Sequence, residues 1–445
     1  MTVTGCLFPP FERDEEGNGL SVYWVPDLEQ ETLTIAIQFQ FGRFADPRGM
    51  EGIGETLIAL MQKGTVTHEH GVFSEMLERR GATLFAEVAE EHSVVGCRML
   101  ARYAGSVVPL FWEMVTSPGL REEELPMIKR EVCAAMQAEY ADPGAVAHRH
   151  YAALVFGTSS VAGRSRTPAS VKRVTAHAVR EHYRAVVTPA KSALILAGSL
   201  QIAAARSMWG PLFQAWEHTG NSSATAGAVV PASPVRGRTL VVVDKPELTQ
   251  TTLLLGHQLP AEHSCDRTAL SLVNYVFGGG NFSSRLMDRV RSQMGKTYGI
   301  GSQYITTASL GVFVVTTATR TEQTAGMLDV VLDECRTLCE QGMTDGELEK
   351  AQRYITGNMA FQFEGIGNIA DKLLWLHHYN RPVSYLENYA AHVCSLTLDE
   401  VNGALRRHWD PGRILCVAVG SRAKLGATLN GFGQLQHRHF RSAAR

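Results

Sequence analysis

The sequence predicts an α+β fold written twice: two homologous domains, each a mainly antiparallel sheet with helices on one face. Two observations predict it. The first is an internal duplication of long period, and the second is that each copy carries runs of strand pattern beside runs of helix pattern. The length of 445 residues fits two domains, and each is large enough to bury a core without disulfides or structural metal.

The duplication rests on three echoes in one order. Pro26-Asp27-Leu28-Glu29-Gln30 precedes LTIAIQFQF, and Pro246-Glu247-Leu248-Thr249-Gln250, 220 residues later, precedes TTLLLGHQL. Gly119-Leu120 leads into a Glu-rich helix start with Leu125, and Gly342-Met343 leads into Glu347-Leu348 at an offset of 223. HYRAVVTPAKSALILAGS is echoed by HWDPGRILCVAVGS, with Gly198 and Gly420 222 residues apart. Between the copies, HTGNSSATAGAVVPASPVRG has the small-residue and proline composition of a linker. The expected division is an N-terminal domain at 1–218, a linker at 219–236 and a C-terminal domain at 237–445.

The elements of the first copy follow in order. LTIAIQFQF is apolar, β-branched and alternating, so it reads as a strand. GIGETLIALMQKGT reads as a helix with Ile53, Leu57, Leu60 and Met61 on its apolar face and Gly64 as its stop. VFSEMLERRG is a second amphipathic helix, closing at Gly81. LFAEVAEEHSVVGCRML reads as two strands joined by an acidic turn.

Composition narrows the function. Hydrophobic residues are 45% and charged residues 19%, as in a soluble globular protein, and a net charge of -2 gives no basic field for nucleic acid. No window approaches the apolar length of a membrane span, and the opening MTVTGCLFPPFERDEEGNG lacks the basic start and apolar stretch of a secretory signal. The eight cysteines are scattered with no CxxC pair, and a reducing cytoplasm is the expected compartment. Cys335 and Cys339, four apart on a helix, read as half-buried thiols rather than half a metal site. His68-Glu69-His70, His148-Arg149-His150 and His377-His378 read as surface or core histidines, since none has the i, i+4 spacing that puts two imidazoles on one helix face. Gly295-Lys296-Thr297 looks like the end of a phosphate loop, but Val290 stands where that loop needs a glycine, and the stretch runs into a strand.

Two stretches carry the chemistry. The first is the helix from Gly52 to Thr65, Gly-Ile-Gly-Glu-Thr-Leu-Ile-Ala-Leu-Met-Gln-Lys-Gly-Thr. The second is Gly278-Gly279-Gly280-Asn281-Phe282-Ser283-Ser284-Arg285-Leu286, followed by Arg291 and, seven residues on, Tyr298. With the two-copy layout, these resemble the pitrilysin/insulinase family of metallopeptidases over nearly the whole chain. In that family the first helix carries an inverted zinc motif, H-x-x-E-H, between a Gly-rich turn and a Lys-Gly-Thr ending. Here the frame is kept, but the first histidine position is Glu55, the general-base position is Ile58 and the second histidine position is Ala59. Catalytic zinc needs about three protein donors and a carboxylate to take the proton of its water. Ile58 and Ala59 supply neither. The third-ligand glutamate is implied in the helix after Arg130-Glu131-Val132, where the position is Met136 or Ala138, with Glu139 near.

The resemblance implies two domains forming half of a clam-like chamber, with no metal and no cofactor in this chain. It implies that Arg291 and Tyr298 reach across the chamber to the zinc site of the opposite half. There the tyrosine hydroxyl donates to the oxyanion of the tetrahedral intermediate and the arginine holds a substrate carbonyl. Arg285 is expected to be structural, bonding carbonyls or acids near the turn. The function implied is a subunit, inactive alone, of a heterodimeric zinc peptidase whose homologous partner holds the zinc. Its substrate would be a peptide or unfolded segment added as a strand to a sheet edge. Three alternatives stand beside it. One is a structural subunit like the core proteins of respiratory cytochrome complexes, and another is an autonomous peptidase with a metal site from Glu55, Glu139 or the histidine pairs. The last is peptide binding without hydrolysis.

Overall fold

The computed structural model describes residues 8–217, 237–294 and 299–425, together with Leu429, Phe432 and 434–441. The linker expected at 219–236 lies outside the described residues.

The first sheet contains β1 (Glu12–Glu15), β2 (Ser21–Pro26), β3 (Thr32–Phe39), β4 (Thr83–Val88), β5 (Ser93–Leu100) and β6 (Ser192–Gly198) in the order β1-β2-β6-β3-β5-β4. Its β2–β6 pairing is parallel and the others are antiparallel. The second contains β7 (Thr239–Asp244), β8 (Gln250–Leu259), β9 (Ile300–Thr306), β10 (Gly311–Arg320), β11 (Leu415–Gly420) and β12 (Gln434–His439) in the order β12-β7-β11-β8-β10-β9. Here β11 and β12 run parallel to β7, and the remaining pairings are antiparallel. Without β1 and β12, the two orders are one topology used twice, which is the sequence duplication in three dimensions. The interior strands β6 and β11 are buried along their whole length, and both are nearly continuous apolar runs.

Seven helices position the regions of interest: α1 (Ile53–Met61), α2 (Leu125–Ala141), α3 (Pro143–Phe156), α4 (Arg285–Met294), α5 (Thr324–Gln341), α6 (Asp345–Gly357) and α7 (Ile366–His378). The periodic residues of α1 behave as their spacing predicts, with Ile53, Leu57, Leu60 and Met61 buried against Trp24, Ile37, Phe39 and Phe111. The second copy builds the matching core around Phe277, Phe313, Leu328 and Leu405.

Each sheet also has a second face, and the two halves cover it for each other. Helix α7, from the second copy, lays Ile369, Leu373, Leu374 and Leu376 on Tyr23, Val25, Ile195 and Ala197 of the first sheet. Helix α3, from the first copy, lays Val146, Ala147, Tyr151 and Leu154 on Val241, Leu254, Val314 and Val417 of the second. Asp142 caps α3 by accepting from the backbone N–H of Gly144 and Ala145. Gly256 in β8 makes room for this helix: a Cβ there would fall 2.5 Å from the Tyr151 hydroxyl, which donates to the carbonyl of Phe313 at 3.0 Å. Each buried aliphatic side chain in these layers contributes about 1.5–3 kcal/mol, so the exchange ties the halves into one unit. The expected helix layer therefore covers one face of each sheet, and the exchanged helix covers the other.

Candidate functional site

The start of α1 is set by Asp46. Its buried carboxylate accepts from the N–H of Gly52 at 2.6 Å and of Gly54 at 3.0 Å. Burial pushes its pKa up to about 6, against the two N–H bonds and Arg164, which pull it down. Gly52 itself has a left-handed backbone (φ 101), and a Cβ there would press on Val171 at 3.1 Å.

Along α1, Glu55, Ile58 and Ala59 face a groove of about 510 Å³ whose other wall is β4, with Ala86 and Glu87. Both oxygens of Glu55 are engaged. Arg43 donates its Nε to one at 3.2 Å, and a terminal nitrogen of Arg166 contacts the other. The second terminal nitrogen of Arg166 contacts Glu139 on α2, and Arg43 also pairs with Glu90 at 3.1 Å. Burial and the neighbouring charge of Arg43 lower the Arg166 pKa to about 10, with Asp46 acting the other way, so the guanidinium is charged at neutral pH. Met136 is buried against Tyr140 and Val171, and Ala138 is exposed.

These residues do not fit a catalytic zinc ion. Ile58 and Ala59 have no donor atoms, and the two carboxylates nearby are already bound by guanidinium groups. Among the described residues no three His, Cys, Asp or Glu side chains are arranged to hold a metal. The histidine pairs lie apart. His68 Nδ1 is 3.2 Å from Thr65 Oγ1 and 3.5 Å from Glu113; His70 Nδ1 is 3.3 Å from Ser74 Oγ. His150 is buried in α3, His377 meets the Tyr23 hydroxyl at 3.3 Å, and His378 lies 3.5 Å from Glu91. Cys335 is buried and Cys339 half-buried on α5.

In the second copy the triple glycine is a packing device. A Cβ on Gly278 would fall 2.6 Å from Ser302 Oγ in β9, and one on Gly280 would fall 2.9 Å from the Tyr275 carbonyl. The turn opens α4, where three arginines meet different fates. Arg285 donates from Nε and Nη2 to the two oxygens of Glu347, both at 2.6 Å, and from Nη2 to the Gly342 carbonyl at 2.8 Å. It also lies 3.6 Å from Glu334, which is the structural role expected of it. Arg289 pairs with the buried Glu334 at 2.9 Å. Arg291 is exposed and meets no carboxylate among the described residues; its guanidinium lies over the ring of Phe282, 4.5 Å from the centroid. Phe282 is 73% exposed, so its ring is not a core residue. Tyr298 and Gly295-Lys296-Thr297 lie outside the described residues.

A cavity of about 620 Å³ lies between the two halves, walled by Arg43, Glu55 and Arg166 of the first and Ile305, Leu310 and Val312 of the second. Beside it the two edge hairpins meet: Glu91 accepts from the N–H of Ala308 at 2.7 Å and from Ser309 Oγ at 3.1 Å. Sequence reasoning did not single out Arg43, Arg166 or Phe282. Only Phe282 had a local signal, a large aromatic in a glycine- and serine-rich turn.

Comparison with known proteins agrees with this fold. Residues 23–162 match the family described as insulinase (peptidase family M16), and residues 173–355 match the peptidase M16 inactive domain. The chain is 25% identical over 388 residues to an uncharacterized zinc protease of Streptomyces coelicolor, covering 84% of this chain and 82% of that protein. It is 20% identical over 395 residues to a non-peptidase homolog of Helicobacter pylori, covering 88% and 89%. In three dimensions it is similar to the peptidase M16 inactive domain from Pseudomonas fluorescens, with a TM-score of 0.82, 23% identity, and coverage of 93% of this chain and 98% of that one.

Proposed function

The chain belongs to the insulinase family, peptidase family M16, and we propose that within it this chain is the catalytically incomplete subunit of a heterodimeric zinc peptidase. It supplies Arg291 and Tyr298 in trans to a homologous subunit that holds the zinc in an intact H-x-x-E-H motif. Its own zinc frame lacks the second histidine and the base, at Ala59 and Ile58, so it does not hydrolyse peptides alone. The partner's H-x-x-E-H residues would hold the zinc, which would supply Lewis-acid activation of water with the glutamate as base. Arg291 donates to a backbone carbonyl of the substrate, and the Tyr298 hydroxyl donates to the oxyanion as it forms. The substrate is a peptide or unfolded segment taken up as an added strand. Strands β4 and β9, each the last strand of its sheet among the described residues, are the edges suited to it. The seven described cysteines are all unpaired, which fits work in a reducing cytoplasm.

The single observation that carries this reading is the uncommitted Arg291. Its neighbours Arg285 and Arg289 are bound to carboxylates, whereas Arg291 is exposed, with no such partner among the described residues, and oriented by an exposed aromatic ring. A long charged side chain that meets no carboxylate among the described residues, beside two that do, supports a role toward a ligand.

The test mixes this chain with a zinc-motif homologue from the same genome and follows peptide hydrolysis and complex formation together. Hydrolysis should need both chains, and Arg291→Ala or Tyr298→Phe should lower it by about 10²–10³-fold while the complex still forms. Full activity with both residues changed would leave only a structural role.

A further inference from the structure

The degenerate zinc position is a filled site rather than a vacant one. We propose that the Arg166 guanidinium takes the place of the zinc ion: it is the cation that joins α1 to α2, and it keeps a divalent metal out even when the donors of the motif are restored. This inference concerns the chain's own first half and does not rest on the trans reading above.

The geometry carries it. Glu55 stands at the first ligand position of α1, and Glu139 stands in the stretch of α2 that the third ligand would occupy. One terminal nitrogen of Arg166 contacts the first carboxylate and the other contacts the second. Two acidic side chains on different helices therefore converge on one cation, as they would on a shared metal. Arg43 takes the remaining oxygen of Glu55 at 3.2 Å, so both oxygens of that carboxylate already face a guanidinium. The side chains of Arg166 and Glu55 are 18% and 14% exposed, so this is not a solvated surface pair, whereas Glu139 reaches in from the rim with its side chain 48% exposed. Removing one partner of a pair held away from water strands the other charge, a cost that an exposed pair does not carry.

The stem of Arg166 is also held. It runs past Gly52, where an added Cβ would sit 3.6 Å from the arginine's own Cβ. The loop that carries it is tied to the start of α1. Arg164 lies 3.5 Å from Glu51 and donates to the Asp46 carbonyl at 3.4 Å, and Ser170 Oγ donates to the Glu51 carbonyl at 2.8 Å. A divalent ion entering here would meet a fixed positive charge within contact distance, in surroundings that screen it weakly. The guanidinium replaces the metal as a cross-link but not as a Lewis acid. It offers no open coordination position, so it cannot acidify a water molecule.

The experiment restores the motif in the full chain, as Glu55→His, Ile58→Glu and Ala59→His, once with Arg166 kept and once with Arg166→Ser added. Zinc bound per chain is measured after equilibration with zinc chloride and desalting, and affinity is measured by titration. With Arg166 kept, the chain should hold far less than one zinc; with Arg166→Ser, it should hold about one, with affinity at least about a hundredfold higher. Equal zinc in both variants would overturn the proposal, and so would no zinc in either, since the arginine would then not be the barrier. A second measurement protects against misfolding of the multiple variants. In the otherwise unchanged chain, Arg166→Met should lower the melting temperature by several degrees, and Glu55→Leu added to it should restore part of the loss. An unchanged melting temperature for Arg166→Met would remove the cross-link from the account.

Discussion

The zinc-frame helix α1 and the arginine helix α4 hold opposite kinds of arginine. Around α1, Arg43 and Arg166 are bound to Glu55, Glu90 and Glu139. Around α4, Arg285 and Arg289 are likewise bound to Glu347 and Glu334, but among the described residues Arg291 meets the Phe282 ring and no carboxylate. Both regions use ion pairs to hold their helices in place. Among the described residues, the second leaves Arg291 without a carboxylate. The difference teaches what each arginine can be asked: charges closed on each other should report on stability, and Arg291, under the proposed function, should report on hydrolysis.

That comparison can be attacked at several scales. The largest expected effect is on the first half. Burial pushes His92, His182 and His377 down to about 4, and all three pack on the first sheet or its helices. Their folded pKa values lie below the unfolded value near 6.5, so their contribution is complete above that pH and is lost as pH falls towards 4. The cost is at most about 3 kcal/mol each, and Asp46, with its raised pKa, acts the opposite way over the same range. Urea unfolding at pH 7 and pH 4.5 should show a large loss on acidification, and Gln in place of His182 should make that loss smaller. Next in size is Arg285→Ala, which strands Glu347 and leaves the buried Glu334 with Arg289. A loss of about 3 kcal/mol in denaturant stability is expected. Phe282→Leu should leave stability unchanged and lower hydrolysis by the mixed subunits about two- to fivefold, the worth of an exposed cation–π contact. The smallest effect sharpens the contrast most: Arg291→Ala should change stability by no more than about 0.5 kcal/mol. If Arg291→Ala destabilised the chain as much as Arg285→Ala, the two arginines would not differ in kind.

The parts of this molecule written in local pattern were legible in the sequence. The alternating LTIAIQFQF is β3, the four apolar residues of α1 are all buried, and the acidic turn between β4 and β5 falls where its charges put it. The loss of zinc donors was legible too, since it needs only residue identity at Ile58 and Ala59. Arg285 is expected to bond carbonyls or acids near its own turn, and it bonds the Gly342 carbonyl and Glu347, partners far along the chain. What could not be read depends on contacts far along the chain. The apolar faces of α3 and α7 show that each covers something, but periodicity does not say that each covers the other copy's sheet. Arg166 stands in a polar loop, GRSRT, and nothing local connects it with Glu55 or Glu139. The tyrosine proposed to act with Arg291 lies outside the described residues, so its place rests on the seven-residue spacing alone.

The most direct test of the central claim is the zinc content and peptide hydrolysis of the purified chain, measured alone and then mixed with a zinc-motif homologue. The account predicts a chain without zinc that is inert alone and that switches on hydrolysis by the homologue. One zinc per chain, with hydrolysis by the chain alone, would contradict it.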